Sequence, residues 1–318
     1  MFGCVQTRGG AMTLEAANTA QRAVDSKQIG WIGAGKMGGP MAANLLAAGY
    51  SVAVSDPSAE IREALAGQGA QTAAGLEIQA GADIVFTTLP NDAVLLRVVA
   101  GDEGRAGLAD LMPAGSILVE MSTVSPGCSA NVAQIIEKAG ISYLRAPISG
   151  STAMAKAASL TVLASGDKAA WPTVLPLLRL LSSKQFFLGE ADEARYMKLV
   201  LNTLVGASSA ILAEAVALGA SGGLSRAAMM EVICESAVAS PLLKYKTDLV
   251  VAADYAPAFT IDQMIKDFTL ISDAGRANGI PLMTAGLILE LYRAAANAGL
   301  QNEDFFALVK WQSGISAQ

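Results

Sequence analysis

Three glycines in G-x-G-x-x-G spacing, Gly33, Gly35 and Gly38, and an acid at Asp56 have the types and positions to hold a phosphorylated ligand. The apolar run 29–32 reads as a buried strand entering the glycines, and Met41, Leu45 and Leu46 read as one helical face leaving them. In that setting Gly33 permits the tight turn, Gly35 lets a pyrophosphate approach the backbone, and Gly38 lets the helix press on the sheet. Lys36 and Met37 complete the loop, and the free amides of the helix N-terminus receive the phosphates. Gly49 ends the helix, and residues 51–55 alternate as a second strand that stops at Asp56. A carboxylate there accepts hydrogen bonds from an adenosine ribose and repels a 2′-phosphate, so the pattern points to NAD more than NADP. The competing reading is a glycine-rich turn that only packs a strand on a helix.

The second set of candidates follows later strands. Leu89 and Pro90 close one, Thr123 lies in the hydroxyl-rich loop 122–126, and Ser149, Gly150 and Ser151 lie in a third loop. Parallel sheets bind ligands beyond the carboxyl ends of their strands, so these loops converge on one mouth. Ordinary turn chemistry explains the serines equally well. Lys198 and Asn202 are four apart on an apolar helical pattern and project from one face, suited to a substrate hydroxyl and carboxylate or to a solvated helix edge.

The chain has no histidine, which removes the imidazole base of many dehydrogenases and the usual nitrogen ligands of catalytic zinc. None of the six tyrosines begins a Tyr-x-x-x-Lys pair. A proton-transfer reaction here falls to a lysine, whose pKa drops on burial or beside another cation. No metal site is expected.

The elements that must position these residues alternate. Helix near 61–65, strand 84–89, helix 93–99, strand 117–120, helix 128–139 and strand 141–144 predict an α/β, mainly parallel, doubly wound Rossmann-type sheet. Strands over 160–164 and 185–188, with a helix from about 169 between them, extend it on its far side. Beyond Glu190 the strand pattern stops and helical periods take over, opening with one long helix over about 191–219. The expected organisation is a loose extension over 1–27, a dinucleotide-binding domain over 28–190 and an all-α substrate and oligomerisation domain over 191–318. Met12 is an alternative start. The long helix carries Asn202 and Glu214 within an apolar stretch, which favours a buried helix over a membrane span. It has more apolar circumference than a small monomer buries, so a homodimer or homotetramer is expected.

Together the motifs resemble the β-hydroxyacid dehydrogenases. They are Gly-x-Gly-x-Met-Gly-x-x-Met-Ala-x-Asn-Leu from Gly33 to Leu45, Ser122-Thr123, Ala146-Pro147-Ile148-Ser149-Gly150, Lys198 with Asn202, and Lys266-Asp267. The resemblance runs from about Lys27 to Val309. It implies NAD-dependent interconversion of a small β-hydroxy acid and its aldehyde or keto acid, with Lys198 as the acid/base. It also implies that Asn202, Ser149, Gly150 and Ser151 hold the substrate. By the same resemblance Thr123 sits where nicotinamide and substrate meet, Leu89 and Pro90 line the cofactor cleft, and Lys266 closes over the nicotinamide.

The departures from the family pattern bear on the substrate. Ser151 stands for a common glycine, Arg145 for an acid, Asp192 and Ala194 for glycines and Thr203 for a second asparagine. Lys156, on a segment similar to that of sugar-acid enzymes, has a surface lysine as its plainer reading. The alternatives are an NADPH-dependent glyoxylate or semialdehyde reductase and a non-catalytic nucleotide-sensing protein. An imine reductase would lack the lysine, and a sugar-phosphate dehydrogenase would need a larger helical domain.

With 318 residues, 53% of them hydrophobic, two cores are within reach. A net charge of −6 without a basic run excludes the electrostatic footprint of a nucleic-acid binder. Three cysteines without metal spacing suit a reducing cytoplasm.

Overall fold

The structure, a computed structural model, describes residues 27–102 and 104–316. The expected extension over 1–27, the alternative start at Met12 and Cys4 therefore lie, but for Lys27, outside the described residues. The first part of the chain alternates strand and helix. It runs β1 (Ile29–Ile32), α1 (Gly38–Ala47), β2 (Val52–Ser55), α2 (Ala59–Ala66), β3 (Gln71–Ala73), β4 (Ile84–Thr87), α3 (Asp92–Ala100), α4 (Leu108–Leu111), β5 (Ile117–Glu120), α5 (Pro126–Lys138) and β6 (Ser142–Arg145). Then come β7 (Ile148–Ser149), α6 (Thr152–Lys156), β8 (Leu160–Gly166), α7 (Trp171–Arg179) and β9 (Ser182–Phe187).

Spatial order is β3-β2-β1-β4-β5-β6-β8-β7, with β9 also on β8. From β3 to β6 every pair is parallel, and β8 then runs antiparallel to β6 and β7. The central strands β1, β4 and β5 are buried along their length, as strands covered by helices on both faces must be. Trp31 stacks on Phe86 within one of the two cores that flank the sheet. Two short strands escaped the sequence reading. β3 is polar and has only three residues, and β7 has two; neither is long enough to show a period of two.

No strand follows β9 among the described residues. The chain continues as α8 (Glu193–Ser221), α9 (Arg226–Glu235), α10 (Pro241–Ala252), α11 (Ile261–Ala277), α12 (Met283–Ala295) and α13 (Leu308–Ser316) around a core of their own. Ser225, Ser240 and Thr260 cap the N-termini of α9, α10 and α11 by accepting amide hydrogens, so the punctuation of this half is local chemistry. α8 spans 29 residues and starts two positions later than expected. By length and composition it could cross a membrane, yet 44% of its most apolar window is packed within the fold. Gly206 decides how closely α11 approaches it: a Cβ there would stand 2.2 Å from the Phe268 ring. That close approach brings the Lys266-Asp267 turn of α11 against Asn202, one helical turn before Gly206.

Candidate active site

The glycine loop is braced from three sides. Gly33 has φ +81°, and its amide donates to Ser55 O at 2.9 Å. Its carbonyl accepts from Trp31 Nε1 at 3.3 Å and from the Thr88 hydroxyl. A Cβ on Gly33 would press on Thr88 O, and one on Gly38 would stand 2.1 Å from Gly33 O, so both positions are closed to larger residues. Gly35 differs, because apart from its own chain neighbours no described atom lies within 4 Å of where its Cβ would be. The space beside Gly35 and the exposed Lys36 is open at the N-terminus of α1, with Met37 partly buried behind. That arrangement fits a dinucleotide pyrophosphate, which needs bare backbone and free amides.

Asp56 is buried at the end of β2 and already has work. Its Oδ2 accepts from Ala34 N at 2.7 Å and its Oδ1 from Ser58 N at 2.9 Å. The carboxylate therefore joins the glycine loop to the start of α2 and keeps only its remaining lone pairs for a ribose. Arg62 folds back beside it, donating to the carbonyls of Asp56 at 2.7 Å and Pro57 at 2.9 Å.

Beyond β4 and β5 the loops are tied together. Leu89 N donates to the Ser122 hydroxyl at 2.7 Å, which joins the loop of Leu89 and the exposed Pro90 to that of Thr123. Thr123 O accepts from Lys266 Nζ at 2.9 Å. Lys266 also pairs with Asp267 at 3.1 Å, and the opposite oxygen of that buried carboxylate accepts from Asn202 Nδ2 at 2.5 Å. Thr123, Lys266, Asp267 and Asn202 thus form one chain of contacts from the sheet to the helical half.

Lys198 is on the second turn of α8 and partly buried, one turn before Asn202. Its ammonium has no hydrogen-bond partner among the described residues. Burial pushes its pKa down from the ordinary lysine value; Asp267 pulls it back up, and Lys266 pushes it down again. An unpartnered amine with a depressed pKa is what proton exchange with a substrate hydroxyl needs.

The loop of Ser149, Gly150 and Ser151 stands slightly apart. Ser149 pairs with Thr161 across β7 and β8, and Ser151 caps α6 by accepting from Met154 N at 3.3 Å. β7 packs on α8, but among the described residues no hydrogen bond joins Ser149, Gly150 or Ser151 to Lys198 or Asn202. Lys156 is exposed at the end of α6. Sequence reading passed over Asp267 as a site residue although it stands next to Lys266. Its signal was its position: an acid on the core face of an amphipathic helix, buried only because two amide and ammonium donors meet it.

Comparison with known proteins accounts for both halves. Residues 28–189 match the family model described as the NAD binding domain of 6-phosphogluconate dehydrogenase. Residues 193–312 match the one described as NAD-binding of NADP-dependent 3-hydroxyisobutyrate dehydrogenase. The chain is 33% identical over 296 residues to 2-(hydroxymethyl)glutarate dehydrogenase of Eubacterium barkeri, covering 92% of this chain and 97% of that one. The chain belongs to the β-hydroxyacid dehydrogenases. It is an oxidoreductase with NAD(P)-binding domains, of the class that acts on a CH–OH group. This β-hydroxyacid dehydrogenase is also 30% identical to L-threonate dehydrogenase of Cupriavidus necator, over 91% of this chain and 97% of that one. Among solved structures it is similar to 3-hydroxyisobutyrate dehydrogenase from Salmonella typhimurium, with TM-score 0.81, 30% identity and coverage of 90% and 99%.

Proposed function

We propose that the enzyme interconverts a small β-hydroxy acid and the matching aldehyde or keto acid, uses NAD before NADP, and moves the hydroxyl proton through Lys198. The carrying observation is the partly buried amine of Lys198, without a hydrogen-bond partner among the described residues and one helical turn from Asn202, which the Asp267–Lys266 pair holds; burial lowers its pKa. Bound nicotinamide supplies the hydride acceptor in oxidation and the donor in reduction. Lys198 Nζ takes the hydroxyl proton in one direction and returns it in the other, while Asn202 orients the substrate. The amides and hydroxyls of Ser149, Gly150 and Ser151 hold the carboxylate, a preorganised anion site. Gly33, Gly35, Lys36, Met37 and Gly38 receive the pyrophosphate and Asp56 the adenosine ribose. Leu89 and Pro90 line the cleft, and Thr123 with Lys266 borders the nicotinamide.

This reading divides the chain into a dinucleotide-binding part over 28–190 and a helical part over 191–318 that serves substrate and assembly. Exposed Val200, Leu204, Ile211 and Leu218 on α8 support a homodimer or homotetramer. A single-chain mass in light scattering refutes it. The free thiols of Cys128 and Cys234 support a cytoplasmic location.

A second reading, an NADPH-dependent glyoxylate or semialdehyde reductase, draws on Arg62, whose guanidinium lies beside Asp56 where a 2′-phosphate would need a cation. A relative that is 31% identical over 89% of this chain, in Arabidopsis thaliana, is named glyoxylate/succinic semialdehyde reductase 2. The deciding experiment follows nicotinamide absorbance with NAD and NADP over a panel of 3-hydroxyisobutyrate, L-threonate, L-serine and glycerate. Lys198→Ala is run alongside. Turnover with NAD that disappears in Lys198→Ala while NADH still binds is expected; normal turnover in the variant sinks the proposal.

A further inference from the structure

Beneath the active-site loops lies a layer of buried charge with no assigned role. Arg195, one helical turn before Lys198 on α8, is 1% exposed, and its partner Glu120, at the end of β5, is fully buried. Nη2 of Arg195 binds the Glu120 carboxylate and, at 3.2 Å, the Tyr143 hydroxyl. Nη1 donates to Ser122 O at 2.8 Å, and Nε to Ser129 Oγ at 3.3 Å. The other oxygen of Glu120 accepts from Ser122 N at 2.7 Å. Both backbone polar groups of Ser122 are thus held by one ion pair, and the Ser122 hydroxyl in turn holds Leu89 N.

The same layer fixes the start of α8. Ser129 Oγ donates to Asp192 at 2.8 Å, and Arg145 Nε reaches Ser129 Oγ at 3.1 Å and pairs with Asp192. Arg145 and Asp192, two of the departures noted in the sequence, therefore compensate each other. Polar side chains from β5, α5 and β6 meet those of α8 at this layer.

We infer that Arg195 and Glu120 are a positioning pair, which fixes the helical turn carrying Lys198 to the loop carrying Thr123. The inference rests on Lys198 being the proton carrier. A buried ion pair is a poor source of stability, because desolvation consumes most of its Coulomb attraction. Its forked geometry instead sets direction: a guanidinium reaches Ser122 O, Glu120 and Ser129 at once, as an ammonium does not. Without that register the Lys198 amine and the loop shift relative to each other, and misplacement by about 1 Å costs about 10²-fold in rate.

The test compares wild type with Arg195→Lys, which keeps the charge and loses the fork, and with Tyr143→Phe and Ser129→Ala, which each remove one oxygen partner of Arg195. Turnover is measured with NAD and whichever of 3-hydroxyisobutyrate, L-threonate or L-serine wild type oxidises. In Arg195→Lys kcat is expected to fall about 10²-fold while KM and the NADH dissociation constant hold, with smaller kcat losses in the other two. Acetic anhydride labelling of Lys198, with the exposed Lys36 as internal reference, is read by mass spectrometry on the same proteins. The Lys198 rate is expected to change several-fold in Arg195→Lys, or in the milder variants if that one does not fold. Wild-type kcat and labelling in the folded variants, or a fall in melting temperature alone, overturns the inference. If wild type oxidises none of the acids, the dehydrogenase proposal fails, and the labelling still decides whether the pair positions Lys198.

Discussion

Replacing Asp56 by Ala should destabilise the enzyme before any cofactor is added. The carboxylate accepts from Ala34 N at 2.7 Å and Ser58 N at 2.9 Å in a buried position. A hydrogen bond to a charged group contributes about 1.5–3 kcal/mol. The bond to Ala34, itself buried, carries that full value, while Ser58 is partly exposed and water replaces most of its loss. The sum is about 3 kcal/mol, which at about 2–4 °C per kcal/mol is a fall of about 6–12 °C in melting temperature. Asp56→Asn keeps one acceptor and turns an amide donor toward the other N–H, so its loss should be comparable or somewhat smaller. NADH affinity, read by fluorescence titration, should weaken in both, and NADP should gain little, because the glycine loop, the proposed pyrophosphate site, has lost its anchor. A ribose-binding role alone predicts the opposite pattern: an unchanged melting curve for the cofactor-free protein, weaker NADH and stronger NADPH. That result refutes the anchoring argument.

Two further predictions come from ionisation. Burial depresses the Lys198 pKa, so between that value and the unfolded value of 10.5 the unfolded chain binds more protons and stability rises with pH. Lys198→Met should therefore melt higher than wild type at pH 7, with the gain fading as pH approaches 10.5; a less stable variant at pH 7 contradicts this. Burial, with Asp92 and Glu120 nearby, pushes the Cys128 thiol up to about 12. Iodoacetamide at pH 8 should leave Cys128 unmodified while Cys234 reacts, as peptide mass mapping would show.

The glycine loop, the mainly parallel sheet and the helical second half were legible because each rests on local rules. Gly33 needs its φ, β1 and β4 need apolar residues on both faces, and the glycines and prolines at 222–223, 241, 257 and 279–281 interrupt helical periods wherever they occur. The acid at Asp56 was legible as a position but not as a joint, since only folding brings Ala34 N to it across 22 residues. Asp267 and Arg195 were hidden for a related reason. Charged residues on helices usually read as solvated, and their burial depends on partners 65 and 75 residues away. β3 and β7 were lost to brevity, being held by neighbours that supply the ladder rather than by a pattern of their own.

Two consecutive carbonyls bind the halves of the molecule. Ser122 O is gripped by Arg195 from α8, and Thr123 O by Lys266 from α11. The two grips differ in kind. Arg195 is sealed from water and holds several acceptors at once, so releasing it would strand a buried charge, a loss of about 3–5 kcal/mol. Lys266 is about a third exposed, holds one carbonyl and one carboxylate, and exchanges them for water at little cost. Of the two contacts, that of Lys266 is the cheaper to break and that of Arg195 the costlier. Lys198 is one helical turn from Arg195, the costlier of the two to release. In the proposed mechanism this sets Lys198 on the firmly held side of the contact and Lys266 on the exchangeable one.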